Sequence, residues 1–280
     1  MQGAASGPED SPPRPRLGRL VLALILGLSL ATNALLLTPW LSERSRRDEG
    51  QSLSRTKAAE SQSATDPEWL LEQVNPRAGI EIPARYGDLG PRLIQAGVID
   101  PARFVRVYQE AGRPLSKHQL QILLEGSAAR VVIDRRNAYF LLNLFWGLGL
   151  ANRSPLLEAG PLMDYAQSDI SRFASTGGWT LGARPAGELY FSADLLGLTS
   201  EQERLVERVA SQVYRPCCDN HAAFPDCNHG MAVLGLLQLL ASQEATEGEM
   251  LEAAKYANSF WFPQQAMEVA VFFQASQDMA

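Results

Sequence analysis

Apolar positions along this chain fall at helical spacing far more often than they alternate. In the segment that opens at Ser200, the residues Leu205, Val206, Val209, Ala210, Val213 and Tyr214 make one stripe of a helix, the pattern of a face turned to a core. Start and stop signals recur around such segments. Asp100-Pro101 supplies an N-cap and a proline at the first helical position, with Gly112 and Pro114 closing that helix. Ser116 with Gln119, Ser200 with Glu203 and Thr246 with Glu249 each match a capping box, in which two orphan backbone donors are satisfied reciprocally.

Two segments are apolar nearly all round: residues 138–150, AYFLLNLFWGLGL, and residues 231–241, MAVLGLLQLLA. Both are short for a bilayer crossing, so they predict buried central helices. Strand patterns are scarce. Arg130-Val131-Val132-Ile133 reads as a short strand or as an extended lead-in to the helix after it, and a lone strand cannot stand by itself. Near the C-terminus, Tyr256 and Phe260 fall on one helix face, and the run Val269-Ala270-Val271-Phe272-Phe273 is expected to dock on the core. The fold class that follows is mainly α, a single helical domain over residues 67–280.

The first 66 residues have another character. Residues 1–16 are rich in Gly and Pro with few large apolar side chains, which predicts a disordered tail. Within 17–41 the run LVLALILGLSLATNALLL extends from Leu20 to Leu37 without a charge, long enough for a transmembrane helix, and Trp40 suits an interfacial anchor. A cleaved signal peptide has a shorter apolar region and a small-x-small cleavage site, for which Thr32-Asn33-Ala34 is a poor match. An uncleaved signal-anchor is therefore expected, with residues 42–66 as a polar, flexible tether. Arg14, Arg16 and Arg19 before the run balance Arg44, Arg46 and Arg47 after it, so charge does not set the orientation. The very short leading tail points to a cytoplasmic N-terminus and an extracytoplasmic body at the cell membrane.

Charge and cysteine content narrow the function. The chain carries a net charge of −6 over 280 residues, with 20% charged side chains, which excludes a general nucleic-acid binder because such proteins need a basic surface to release phosphate counterions. It holds three cysteines and three histidines. All three cysteines and two of the histidines lie in residues 217–229, CCDNHAAFPDCNH. Arg215-Pro216 ends the preceding helix, a turn-rich loop follows, and a new helix begins near Asp226 or Asn228 as N-cap, which places Cys227 and His229 at its positive end.

Thiolate and imidazole are ligands for zinc, copper or iron, and a closed Cys3His set of Cys217, Cys218, Cys227 and His229, with His221 in reserve, makes a transition metal ion the first reading. The adjacent cysteines depart from the usual C-x-x-C spacing. A disulfide from Cys227 to Cys217 or Cys218, stapling the loop of a helical interaction domain, is the second reading; a thiol-disulfide redox centre and a Cys-His catalytic pair are the third and fourth. His118, at the second position of its helix, reads as a solvated histidine; Met231 reads as core, and Asp219 and Asp226 as turn or cap residues. The loop Phe173-Ala-Ser-Thr-Gly-Gly-Trp-Thr-Leu-Gly182 fits neither phosphate-loop nor dinucleotide spacing and reads as an ordinary connection.

The segments YRPCCDNHAAFPDCNHGMAVLGLLQLLAS, EAAKYANSFWFPQ, DRRNAYFLLNLFWGLGLAN and FASTGGWTLG together resemble a family of bacterial membrane-anchored proteins, of uncharacterised activity, that share the Cys-Cys and Asp-Cys-Asn-His-Gly signature. The likeness covers most of residues 75–265. It implies kinship and a bacterial source, and it brings no reaction with it.

Overall fold

A computed structural model describes residues 67–277 apart from Ser168. The expected tail, anchor and tether lie outside the described residues, and no helix among the described residues is long and apolar enough to cross a membrane. The described chain is mainly helical. Helix α1 (Pro67–Val74) leads into strand β1 (Ile80–Gly87), then α2 (Leu89–Gln95), α3 (Pro101–Glu110), α4 (Lys117–Leu124) and strand β2 (Ser127–Ile133). The long apolar helix α5 (Ala138–Ala151) follows, then four short helices, α6 (Pro155–Ala159), α7 (Pro161–Ala166), α8 (Ala174–Gly177) and α9 (Ala186–Leu189). The last four are α10 (Ser200–Ala210), α11 (Asn228–Ser242), α12 (Glu247–Trp261) and α13 (Pro263–Gln277).

The centre is the crossing of α5 and α11, which correspond to the two all-apolar segments. Nearly every residue of both is buried, and α10 and α12 pack against α11 from outside. Each fully buried leucine here contributes about 1.5–3 kcal/mol relative to exposure. The two helices touch backbone to backbone. A Cβ on Gly149 would overlap the carbonyl oxygen of Met231, and one on Gly235 would overlap that of Phe145, so the crossing needs hydrogen at both positions. The one amide side chain of α5, Asn143, is satisfied by donating to the Tyr108 hydroxyl at 2.8 Å.

The capping signals are mostly where the sequence puts them. Asp100 accepts from the Arg103 amide, and the boxes at Ser116 with Gln119 and Thr246 with Glu249 are both closed. The third box differs. Thr199 caps α10 and pairs with Gln202, one residue earlier than the expected Ser200 with Glu203, because Glu203 is used elsewhere and accepts from the Ser154 hydroxyl at 2.9 Å.

Residues 130–133 are part of a strand, and its partner is β1, which the sequence pattern hides. The two pair antiparallel from Ile80 opposite Ile133 to Gly87 opposite Ser127, with register irregularities between Ile82 and Arg85 and between Arg85 and Gly87. Pro83 falls at the first of these, where a residue without an amide is tolerated. At the second, the side chain of Gln243 accepts from the Arg85 amide at 2.8 Å and donates to the Arg85 carbonyl at 2.9 Å.

The C-terminal helix corrects the expectation that its apolar run docks on the core. Helix α13 packs on α1 and α12, yet Val269, Val271, Phe272 and Phe273 are all exposed.

Candidate metal centre

The loop between α10 and α11 hangs from a guanidinium. Arg215 is 1% exposed, and its planar fork reaches five acceptors. Nη1 donates to Asp226 Oδ1 at 3.0 Å and to Cys227 Sγ at 3.2 Å, Nη2 to the carbonyls of Phe224 at 3.0 Å and His221 at 3.3 Å, and Nε to the Asn220 carbonyl at 3.3 Å. A buried charge demands such pairing, and arginine is the side chain whose donors are fixed in a plane that can meet so many oxygens at once. The backbone adds a bridge between Tyr214 and His221, and Asp219 takes the left-handed turn conformation at φ 51°. Sequence reasoning treats Arg215 only as the end of a helix and Asp226 only as a turn or cap residue; the structure makes them an ion pair at the heart of the loop.

Around this fork the three cysteines converge. Their sulfurs lie within 4.8 Å of one another, with Cys217 Sγ 3.2 Å from Cys218 Sγ and 3.5 Å from Cys227 Sγ. All three are free thiols. Cys227 is itself the N-cap of α11, in place of the expected Asp226 or Asn228, and its sulfur accepts from the Gly230 amide at 3.4 Å. The expectation that Cys227 sits at the positive end of this helix holds in a stronger form, since its sulfur does the capping.

The histidines divide. His229 stands beside Cys227, and its ring lies 4.4 Å from that of Phe262 and 6.1 Å from that of Trp261. His221 faces the Tyr214 ring at 6.2 Å, and its buried Nδ1 has no hydrogen-bond partner. Neither histidine brings a ring nitrogen within 4.8 Å of all three sulfurs. His118 is exposed on α4 against the edge of Tyr86, and Met231 is fully buried, both as the sequence suggests. The glycine-rich connection acts as a brace: the Ser175 amide donates to the Asp226 carbonyl at 3.1 Å, and the Ser175 carbonyl accepts from the Trp146 indole at 2.6 Å.

Electrostatics set the thiols apart. Burial pushes the Cys227 thiol up, but His229, the Arg215 charge and the Gly230 amide outweigh it and bring the pKa down to about 6. Burial raises Cys217, and the hydrogen bond from Cys218 and the charge of Cys227 add to it. Cys218 is raised by burial as well. One thiolate therefore stands beside two thiols at neutral pH. As a donor set the group fits a transition metal: thiolates at the usual zinc distance of about 2.3 Å stand roughly 3.8–4.0 Å apart in trigonal or tetrahedral geometry, so both Cys217 contacts, at 3.2 and 3.5 Å, need to open by less than about 1 Å.

No protein-family model, curated protein or solved structure matches this chain. The chemistry is read from the residues themselves.

Proposed function

We propose that this is a single-pass, membrane-anchored protein whose extracytoplasmic helical body binds a transition metal ion through the loop of residues 217–229. The convergence of the Cys217, Cys218 and Cys227 sulfurs within 4.8 Å carries the reading. Three thiolates make a soft site that suits zinc or copper(I). Arg215 and the start of α11 favour the thiolate that a metal needs at Cys227. His229, beside Cys227, is the side chain available as a fourth ligand after a turn of its ring. If it closes the set, the ion is structural; if solvent takes the fourth position, the site can hand its metal on. The bilayer span over residues 20–37 is the second half of this reading, resting on the length of that uncharged run.

A second reading has one specific observation in its favour. Cys217 Sγ and Cys227 Sγ are 3.5 Å apart, so a small side-chain movement would let an oxidising compartment join them as a staple. Elemental analysis of the full chain, purified in detergent without added metal, decides between the two when thiols are counted on the same sample. About one equivalent of zinc, copper or iron with three titratable thiols after chelation supports the metal site. A metal-free chain with one free thiol and a peptide linked through Cys227 replaces it with the staple.

A further inference from the structure

Two edges of the sulfur triangle are narrower than a zinc site asks for. Cys217 Sγ lies 3.2 Å from Cys218 Sγ and 3.5 Å from Cys227 Sγ, against roughly 3.8–4.0 Å between thiolates on zinc. One corner also resists opening. Cys227 Sγ is held by the Arg215 guanidinium at 3.2 Å and by the Gly230 amide at 3.4 Å, and Arg215 is itself fixed by the Asp226 carboxylate and the carbonyls of Phe224, His221 and Asn220. Both bonds to this sulfur must break before it can move far. A fourth donor is missing as well: among the histidines, cysteines and acids of the described residues, the group within 4.8 Å holds three sulfurs and no nitrogen or oxygen.

Narrow edges and three donors describe another class of guest. A trivalent ion of arsenic or antimony keeps a lone pair where a fourth ligand would stand, and that pair presses its three bonds toward right angles. At the bond length of about 2.3 Å used for zinc, angles between a right angle and about 100° set the sulfurs roughly 3.3–3.5 Å apart. We propose that Cys217, Cys218 and Cys227 bind trivalent arsenic, taken up as its neutral hydroxide As(OH)3, in a pyramid of three As–S bonds. Softness points the same way, since thiolates favour soft acceptors. Three As–O bonds break and three As–S bonds form. Each departing hydroxide takes one proton, from the thiol or, where a sulfur is already ionised, from solvent, and leaves as water; arsenic and sulfur keep their oxidation states. Cys217, the exposed member of the set, is the point of entry. The inference rests on the reading above only in that the three sulfurs act as one reduced donor set.

The test uses the full chain in detergent, chelated, reduced with a phosphine so that no dithiol competes, and mixed with sodium arsenite at pH 7.5. Native mass spectrometry is expected to show a single adduct, heavier by one arsenic less three hydrogens, and arsenic X-ray absorption to show sulfur neighbours only. Cys217→Ser should weaken arsenite binding at least tenfold with the helical circular dichroism unchanged, while phenylarsine oxide, which needs two sulfurs, still binds through Cys218 and Cys227. An adduct that retains an As–O bond, or arsenite binding indifferent to Cys217→Ser, would overturn the proposal. So would a chain that binds zinc and gives no arsenic adduct, which leaves the transition-metal reading standing. A chain that holds arsenic on three sulfurs and takes no zinc upholds the proposal and removes that reading, and a reduced chain that binds neither sinks both.

Discussion

Gly230 and Arg215 occupy each other's space: a Cβ added to Gly230 would overlap Nη1 of the Arg215 guanidinium. The first turn of α11 therefore tolerates hydrogen alone at that position, because the neighbouring fork cannot retreat without releasing Asp226, Cys227 and the loop carbonyls. Gly230→Ala should cost about 3 kcal/mol or more, the range for disturbing a buried charge network. Thermal unfolding of the variant measures the loss.

Replacing the fork tests the same network from the other side. Arg215→Lys keeps the charge but offers a point where five directed donors are needed, so it should weaken the loop nearly as much as Arg215→Met. With the guanidinium gone, the Cys227 pKa should rise from about 6 toward the ordinary thiol range. The pH dependence of the iodoacetamide reaction reads that rise directly. A Lys variant indistinguishable from wild type would mean that charge alone organises the loop.

Cys227 in the metal-free protein should alkylate first at pH 7, with a midpoint near 6, while Cys217 and Cys218 react slowly. Its folded pKa lies below the unfolded value near 9, so ionised Cys227 favours the folded state above the unfolded pKa, and that stability is lost as pH falls toward 6. Denaturant titrations of the chelated, reduced protein should show stability rising between pH 6 and 8.5, and Cys227→Ser should flatten the slope.

Metal binding should release protons in a pH-dependent number. With Cys227 already ionised and the other two thiols held protonated, about two protons should leave per ion at pH 7.5, approaching three below pH 6. Calorimetry in buffers of different ionisation enthalpy counts them. Release of fewer than one at pH 7.5 would remove Cys217 and Cys218 from the ligand set.

Much of this architecture is legible in the sequence where one physical signal suffices. The all-apolar runs that become α5 and α11, and the Asp100, Ser116 and Thr246 caps, need only periodicity and local hydrogen bonding. Strand β1 escapes because Pro83 and its irregular pairing disguise it, and its pairing partners lie 40 to 53 residues further along the chain. The cysteine cluster is visible as composition. The buried role of Arg215 is not, since an arginine before a proline at the end of a helix looks like a solvated terminus. The docking expected of Val269-Ala270-Val271-Phe272-Phe273 fails for a related reason: apolar composition tells that a surface is to be covered, and leaves open whether this fold does the covering.

The amide of Gln243 holds both the N–H and the carbonyl of Arg85, in the manner of a neighbouring strand one residue long. With Pro83 withholding an amide beside it, β1 offers an incoming chain no uninterrupted row of donors and acceptors. A two-stranded ribbon with an open rim is a template for intermolecular growth, the first step toward fibrils. Here one side chain blunts that rim, so the ribbon gains protection against aggregation without a third strand.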